Sequence, residues 1–269
     1  TPKRISFRYY KLSSLFRRET KFTRLFLANH NDSEGFIRSC CLVSDNSHVV
    51  YLDDGVQSIS LFKGALLERK SSIELAFQSK LAKRRSLTLM RNFLTIYDGI
   101  PNPNFIIKKL DLSNAIKGLA REELGGIVIV GIVLTESCVI YNISKEELIN
   151  KMDGLFKAIK EEYPNEPIIY IPHGRDTSEY ANKLCLKNNA QFLKCESMIE
   201  VALLEKGIAP KAIFGYTSSA LYNLKQLFPL TRVVNVVYRS DSESKIFQET
   251  LSISNYYTSQ GIELLEVKI

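Results

Sequence analysis

Tryptophan is absent from the 269 residues, and only 3 histidines occur. So few histidines leave little room for imidazole chemistry, and each one has to be weighed by its position. The 5 cysteines, Cys40, Cys41, Cys138, Cys185 and Cys195, form no C-x-x-C pair and no zinc spacing, which excludes a zinc ribbon and a dithiol redox motif. They read as buried, reduced thiols of a cytoplasmic protein. No run approaches the roughly 20 apolar residues of a membrane span. The longest, Gly126–Leu134, reads instead as a strand buried on both faces. The polar, basic beginning carries no signal-peptide pattern. The Walker sequence GxxxxGK[ST] is missing, and so is GxSxG, which leaves serine-hydrolase chemistry with little support. RNP, KH and helix-turn-helix signatures are also lacking, which weighs against a basic nucleic-acid-binding module. No internal repeat or low-complexity linker interrupts the chain.

What is present is ordinary globular material. With 45% apolar and 24% charged residues, the chain can bury a sizeable core. A net charge of +7 favours anionic partners: nucleotides, acidic sugars, lipopolysaccharide-like acceptors or an anionic membrane face. Two basic clusters, Arg4 to Arg24 and Lys80 to Arg85, read as solvated faces or as docking points for such a surface.

From about residue 125 onward, short β-rich runs alternate with amphipathic helical stretches, the pattern of a parallel sheet. Strands are expected at 126–134, 167–171, 190–194, 211–215, 232–238 and 262–267. Ser144-Lys-Glu-Glu147 reads as a capping box before a helix with Leu148, Met152, Leu155, Phe156 and Ile159 on one face, closed by Pro164. Ser197-Met-Ile-Glu200 reads as a second box, and further helices fit 177–188, 218–227 and 243–258. This half has the build of a Rossmann-type domain. The first 120 residues are less regular. Strands fit 24–28, 48–52 and 104–110, and basic helices fit 73–97. The change of pattern divides the chain into residues 1–120 and 121–269.

Three expected strand ends carry polar residues. Asp53 and Asp54 follow an apolar strand and precede Gly55; they face a cleft as base or sugar ligand, or they form an Asp-Gly turn. His173 lies in Pro172-His-Gly-Arg175, where it can give a proton or a hydrogen bond to a departing phosphate, with Arg175 as a second cation for the same anion. A lone histidine is otherwise structural or merely exposed. Thr217, Ser218 and Ser219 bring hydroxyls and free N–H groups to a helix N-terminus, a phosphate-binding arrangement, although one serine there is also the commonest N-cap.

The ordered set Asp53-Asp54-Gly55, Pro172-His173-Gly174-Arg175 and Ser218-Ser219-Ala220-Leu221 resembles the bacterial sialyltransferases of GT-B build, and within them glycosyltransferase family 52, the lipooligosaccharide sialyltransferases. The likeness covers roughly residues 48–240, and Gly174 stands where the family has proline after the histidine. It implies an α/β fold of two Rossmann-type domains facing a cleft, with an acceptor-side N-terminal domain that is reduced or incomplete before Arg24. It also implies inverting transfer of sialic acid from CMP-sialic acid to a terminal galactoside of a surface glycan, lipooligosaccharide or capsule. In that reading His173, Arg175, Thr217, Ser218 and Ser219 hold the donor phosphate, and His173 assists its departure. The base is Asp54, then Asp53, with Glu136 as a third candidate at a strand end. No DxD metal motif occurs, and neither a metal nor a cofactor is expected. The resemblance further implies a cytoplasmic enzyme, peripheral on the inner membrane, with homodimerisation by analogy. Transfer of another nonulosonic acid or of Kdo, and a sugar-nucleotide epimerase, are the alternatives within enzymes.

Overall fold

The computed structural model describes residues 22–27, 43–52, 59, 88–98, 106–110, 125–176, 179–239 and 245–268. The chain divides into two compact units, Thr1–Asp111 and Leu112–Ile269, where the sequence pattern had set the change at 120/121.

In the first unit β1 (Phe22–Leu27), β2 (Val43–Leu52), β3 (Thr88–Thr95) and β4 (Ile106–Lys109) form a parallel sheet in that order. The basic helices expected over 73–97 are corrected by β3 where the two overlap, at residues 88–95; residues 73–87 lie outside the described residues. Leu89, Met90, Phe93 and Leu94 recur at helical spacing, but pairing with β2 on one side and β4 on the other overrides it. Asp53, Asp54, Gly55, Cys40, Cys41 and the Lys80–Arg85 cluster lie outside the described residues.

The second unit is built on six parallel strands: β5 (Ile127–Val130), β6 (Ile168–Ile171), β7 (Gln191–Phe192), β8 (Ala212–Gly215), β9 (Arg232–Arg239) and β10 (Glu263–Lys268). Their spatial order is β10-β9-β8-β5-β6-β7. The chain winds outward from β5 through β6 and β7, returns to the other side of β5, and winds outward again. This is the doubly wound order of nucleotide-binding α/β sheets. β5, β6 and β8 are buried at every position, as strands covered on both faces require.

Six helices are described here: α1 (Leu134–Tyr141), α2 (Lys145–Glu162), α3 (Tyr180–Lys187), α4 (Ile199–Glu205), α5 (Ser219–Leu227) and α6 (Lys245–Ser259). Ser144 Oγ accepts from the Glu147 N–H at 3.1 Å, so Ser144 caps α2, which starts where the sequence says. Its buried stripe is Leu148, Met152, Leu155, Phe156 and Ile159, each contributing about 1.5–3 kcal/mol relative to exposure. The same buried side holds Asp153, which accepts from Asn188 Nδ2 at 2.8 Å and Lys187 Nζ at 3.0 Å, and pairs with Lys157 at 2.9 Å. That carboxylate ties α2 to α3.

Three expectations are corrected. β5 stops at Val130, and the residues from Leu134 form α1, so Glu136 sits in a first helical turn and not at a strand end. The second capping box does not form. Met198 is the N-cap of α4 without a side-chain bond, and Glu200 instead accepts from Asn223 Nδ2. The strand expected over 190–194 shrinks to Gln191–Phe192. Among the described residues no helix is long and apolar enough to cross a membrane.

Candidate functional site

Register decides what meets at the carboxyl edge of the six-stranded sheet. Val130 pairs with Ile171 on one side and with Gly215 on the other, and Gly215 pairs with Asn235. The ends of β6, β5 and β8 are therefore level. Ile132, His173 and Thr217 each follow two residues later. Neighbouring strands lie about 4.8 Å apart, so the chains carrying His173 and Thr217 leave the sheet roughly 10 Å from one another, across β5. The winding reverses between β5 and β8, the place where such sheets bind ligands.

Two glycines make this edge tight. A Cβ on Gly131 would stand 2.5 Å from Tyr170 Oη and 2.9 Å from the Ile171 carbonyl. One on Gly215 would meet Leu221 Cδ2 at 2.9 Å and Val130 Cβ at 3.0 Å. Gly131 N–H donates to the Ile171 carbonyl at 2.7 Å, which carries the ladder one residue past β5.

His173 sits half-buried in a turn closed by the Asp176 N–H, which donates to the His173 carbonyl at 2.8 Å. The Arg175 main-chain N–H donates to His173 Nδ1 at 3.1 Å. A nitrogen that accepts cannot also carry the proton, so the neutral ring bears its hydrogen on Nε2. Burial, then the Arg175 charge, lower its pKa; Glu136 and Asp176 oppose them. Starting from an ordinary value of about 6.5, a lowered pKa leaves the ring neutral at pH 7. His173 is thus a hydrogen-bond donor through Nε2. The guanidinium of Arg175 grips both oxygens of Glu136, at 2.7 and 3.1 Å. With side chains 68% and 51% exposed, this pair stabilises little, and an incoming anion can compete for Arg175.

The turn after β8 is held from beneath. Thr217 has a φ of 46°, in the left-handed region that a β-branched residue rarely adopts. Asn235 Oδ1 accepts from the Thr217 N–H at 2.6 Å and from Thr217 Oγ1 at 3.2 Å. Both donors of Thr217, a candidate phosphate ligand, are therefore engaged by Asn235 inside the protein. Ser218 is the N-cap of α5, its Oγ accepting from the Ala220 N–H at 3.3 Å. Its own O–H remains able to donate. Ser219 opens the helix; of the N–H groups that follow it, Ala220's goes to Ser218 Oγ and Leu221's to the Ser218 carbonyl at 3.1 Å.

Tyrosines line the same edge. Tyr170 and Tyr180 hydroxyls lie 3.3 Å apart, Tyr180 donates to the Ile132 carbonyl at 3.4 Å, and Tyr238 donates to Tyr216 at 3.2 Å. Burial raises the pKa of all four, so none is a base at neutral pH. Among the described residues no three His, Cys, Asp or Glu side chains gather as a metal would need. Of the cysteines, Cys185 is buried, with its thiol pushed up to about 11, whereas Cys138 and Cys195 are half-buried.

The structure brings Glu136, His173 and Arg175 into one bonded group and sets the Thr217–Ser219 turn level with it across β5. Asp53 and Asp54 belong to the first unit, outside the described residues. Sequence reasoning missed Asn235 and the tyrosines. The one polar residue in Val233-Val-Asn-Val-Val237 was the signal for the first. No protein-family model and no curated protein matches the chain.

Proposed function

We propose that this chain is a metal-independent, inverting glycosyltransferase of GT-B build that moves sialic acid from CMP-sialic acid to a terminal galactoside of a bacterial surface glycan. The observation that carries this reading is the level register of β6, β5 and β8. It sets a half-buried, Nε2-protonated histidine and a serine-capped turn on either side of a topological switch point, at a separation suited to one phosphate-bearing ligand.

In the reaction, the acceptor oxygen attacks the anomeric carbon as the bond from that carbon to the CMP phosphate breaks. The electron pair leaves with the phosphate. His173 Nε2–H donates to that phosphate, the Ser218 hydroxyl and the Ser219 N–H bind it from the other side, and Arg175 exchanges Glu136 for it. Stabilising the departing charge is the main electrostatic task. The acceptor proton passes to a carboxylate, for which Asp54, Asp53 and Glu136 are the candidates.

Calorimetric titration with CMP tests the donor class. Saturable binding that is weakened by His173→Ala is the expected result, together with CMP release from CMP-sialic acid that depends on an added galactoside. Wild-type protein that fails to bind CMP overturns the reading.

A further inference from the structure

Asn235 is a buried polar side chain in an otherwise apolar strand, only 1% exposed. Such a group is costly unless its bonding capacity is filled, and here it is filled in a particular direction. Its oxygen faces the turn after β8 and takes both donors of Thr217. Its nitrogen faces the other way and donates to Ser254 Oγ at 2.9 Å. Ser254, itself 1% exposed, passes the chain on to the Thr250 carbonyl at 2.8 Å within α6. A second strut from α6 reaches the next residue of the turn, as Tyr257 Oη donates to the Ser218 carbonyl at 2.9 Å. The left-handed conformation of Thr217 costs about 1–3 kcal/mol when nothing holds it. The neighbouring strand supplies the hold.

We infer that Asn235 is a positioning residue: by holding Thr217 left-handed from below, it turns Ser218 and Ser219 outward as the phosphate contacts of this turn. The inference rests on the reading above that this edge takes a phosphate-bearing donor. Thr217 is then the hinge of the turn and not a ligand. Asn235 touches no substrate. Its influence passes through Thr217, and α6 behind it fixes the direction of the amide.

Calorimetric titrations with CMP and, separately, with inorganic phosphate on wild type, Asn235→Leu and Asn235→Leu/Thr217→Gly test this. Asn235→Leu is expected to weaken both ligands at least ~10-fold. Glycine adopts a positive φ without a clamp, so the added Thr217→Gly is expected to recover several-fold of the loss. A merely structural role for Asn235 gives no such recovery. Ser254→Ala, which frees the Asn235 amide but leaves its acceptor, is the milder arm should Asn235→Leu not fold; a drop of about threefold is expected. Unchanged affinity in a folded Asn235→Leu, or in Ser254→Ala where the leucine variant does not fold, overturns the inference and leaves the donor reading standing. Wild type that binds phosphate but not CMP, with the Asn235 dependence present, overturns the donor reading and supports the inference. Wild type that binds neither overturns both.

Discussion

At the scale of single residues, the site turns on which nitrogen of His173 carries a proton. The Arg175 N–H occupies Nδ1, so the ring acts as a neutral donor through Nε2, and protonating it means displacing that bond. His173→Ala is expected to lower turnover by more than ~100-fold with the fold intact, as steady-state rates and circular dichroism would show. Near-normal turnover removes His173 from the mechanism. The pH profile carries the sign of the surroundings. Activity is expected to be full above about pH 6.5 and to fall as pH drops through the lowered pKa of the folded state. The small stability contribution of the neutral ring runs the same way: complete above the unfolded value, lost as pH falls through the folded one. Arg175 depresses this pKa and Glu136 raises it, so Arg175→Gln should move the His173 titration to higher pH and Glu136→Gln to lower pH. Titration of the ring carbon protons by NMR reads both shifts; the opposite order would mean that the ion pair is not beside the imidazole in solution.

At the scale of elements, two joints are open to test. Asp153 carries three charged or amide partners between α2 and α3, which hold its carboxyl far below the ordinary carboxylate range. Asp153→Ala is expected to destabilise the fold by about 2 kcal/mol, because bonds to a buried charge are lost. Wild-type stability from this group is complete above the usual carboxylate pKa of about 4 and is lost as pH falls through the depressed folded value, so the variant should show a flatter acid limb in denaturant melts. Gly131→Ala forces a methyl against Tyr170 and the Ile171 carbonyl, with an expected loss of about 1–3 kcal/mol and a weakened ladder beside His173. Much of this architecture was legible in the sequence. Ser144 with Glu147, the stripe of α2 and the apolar runs of β5, β6 and β8 follow from local rules. The strand-end positions of His173 and Ser218 were legible for the same reason, since both lie within three residues of a strand end. α1 escaped because its first residue, Leu134, closes the apolar run 126–134, which reads as one strand although β5 ends at Val130. β3 escaped because its helical spacing is overridden by strands distant in the chain. Asn235 acts through a turn eighteen residues earlier, a partnership no local pattern encodes.

At the scale of the whole molecule, the second unit has its own sheet, its own helices and its own buried cluster around Tyr170, Phe156, Phe214 and Val236. A fragment of residues 112–269 is therefore expected to fold alone with a cooperative melt, and to bind CMP, because every proposed donor contact lies within it. A fragment that is unfolded by circular dichroism would show that the first unit completes its core. Within this unit, the four residues of β5 have a consequence for how the protein can diverge. His173 and the Thr217 turn are never paired to each other; each is measured off from Ile127–Val130. The excursion between them, through α3, β7 and α4, can lengthen or shorten at its turns without altering their separation. A one-residue slip of either neighbour along β5 moves its half of the site by about 3.3 Å and sends every side chain to the opposite face. Variation in length belongs to the excursion, and constraint belongs to the strand between.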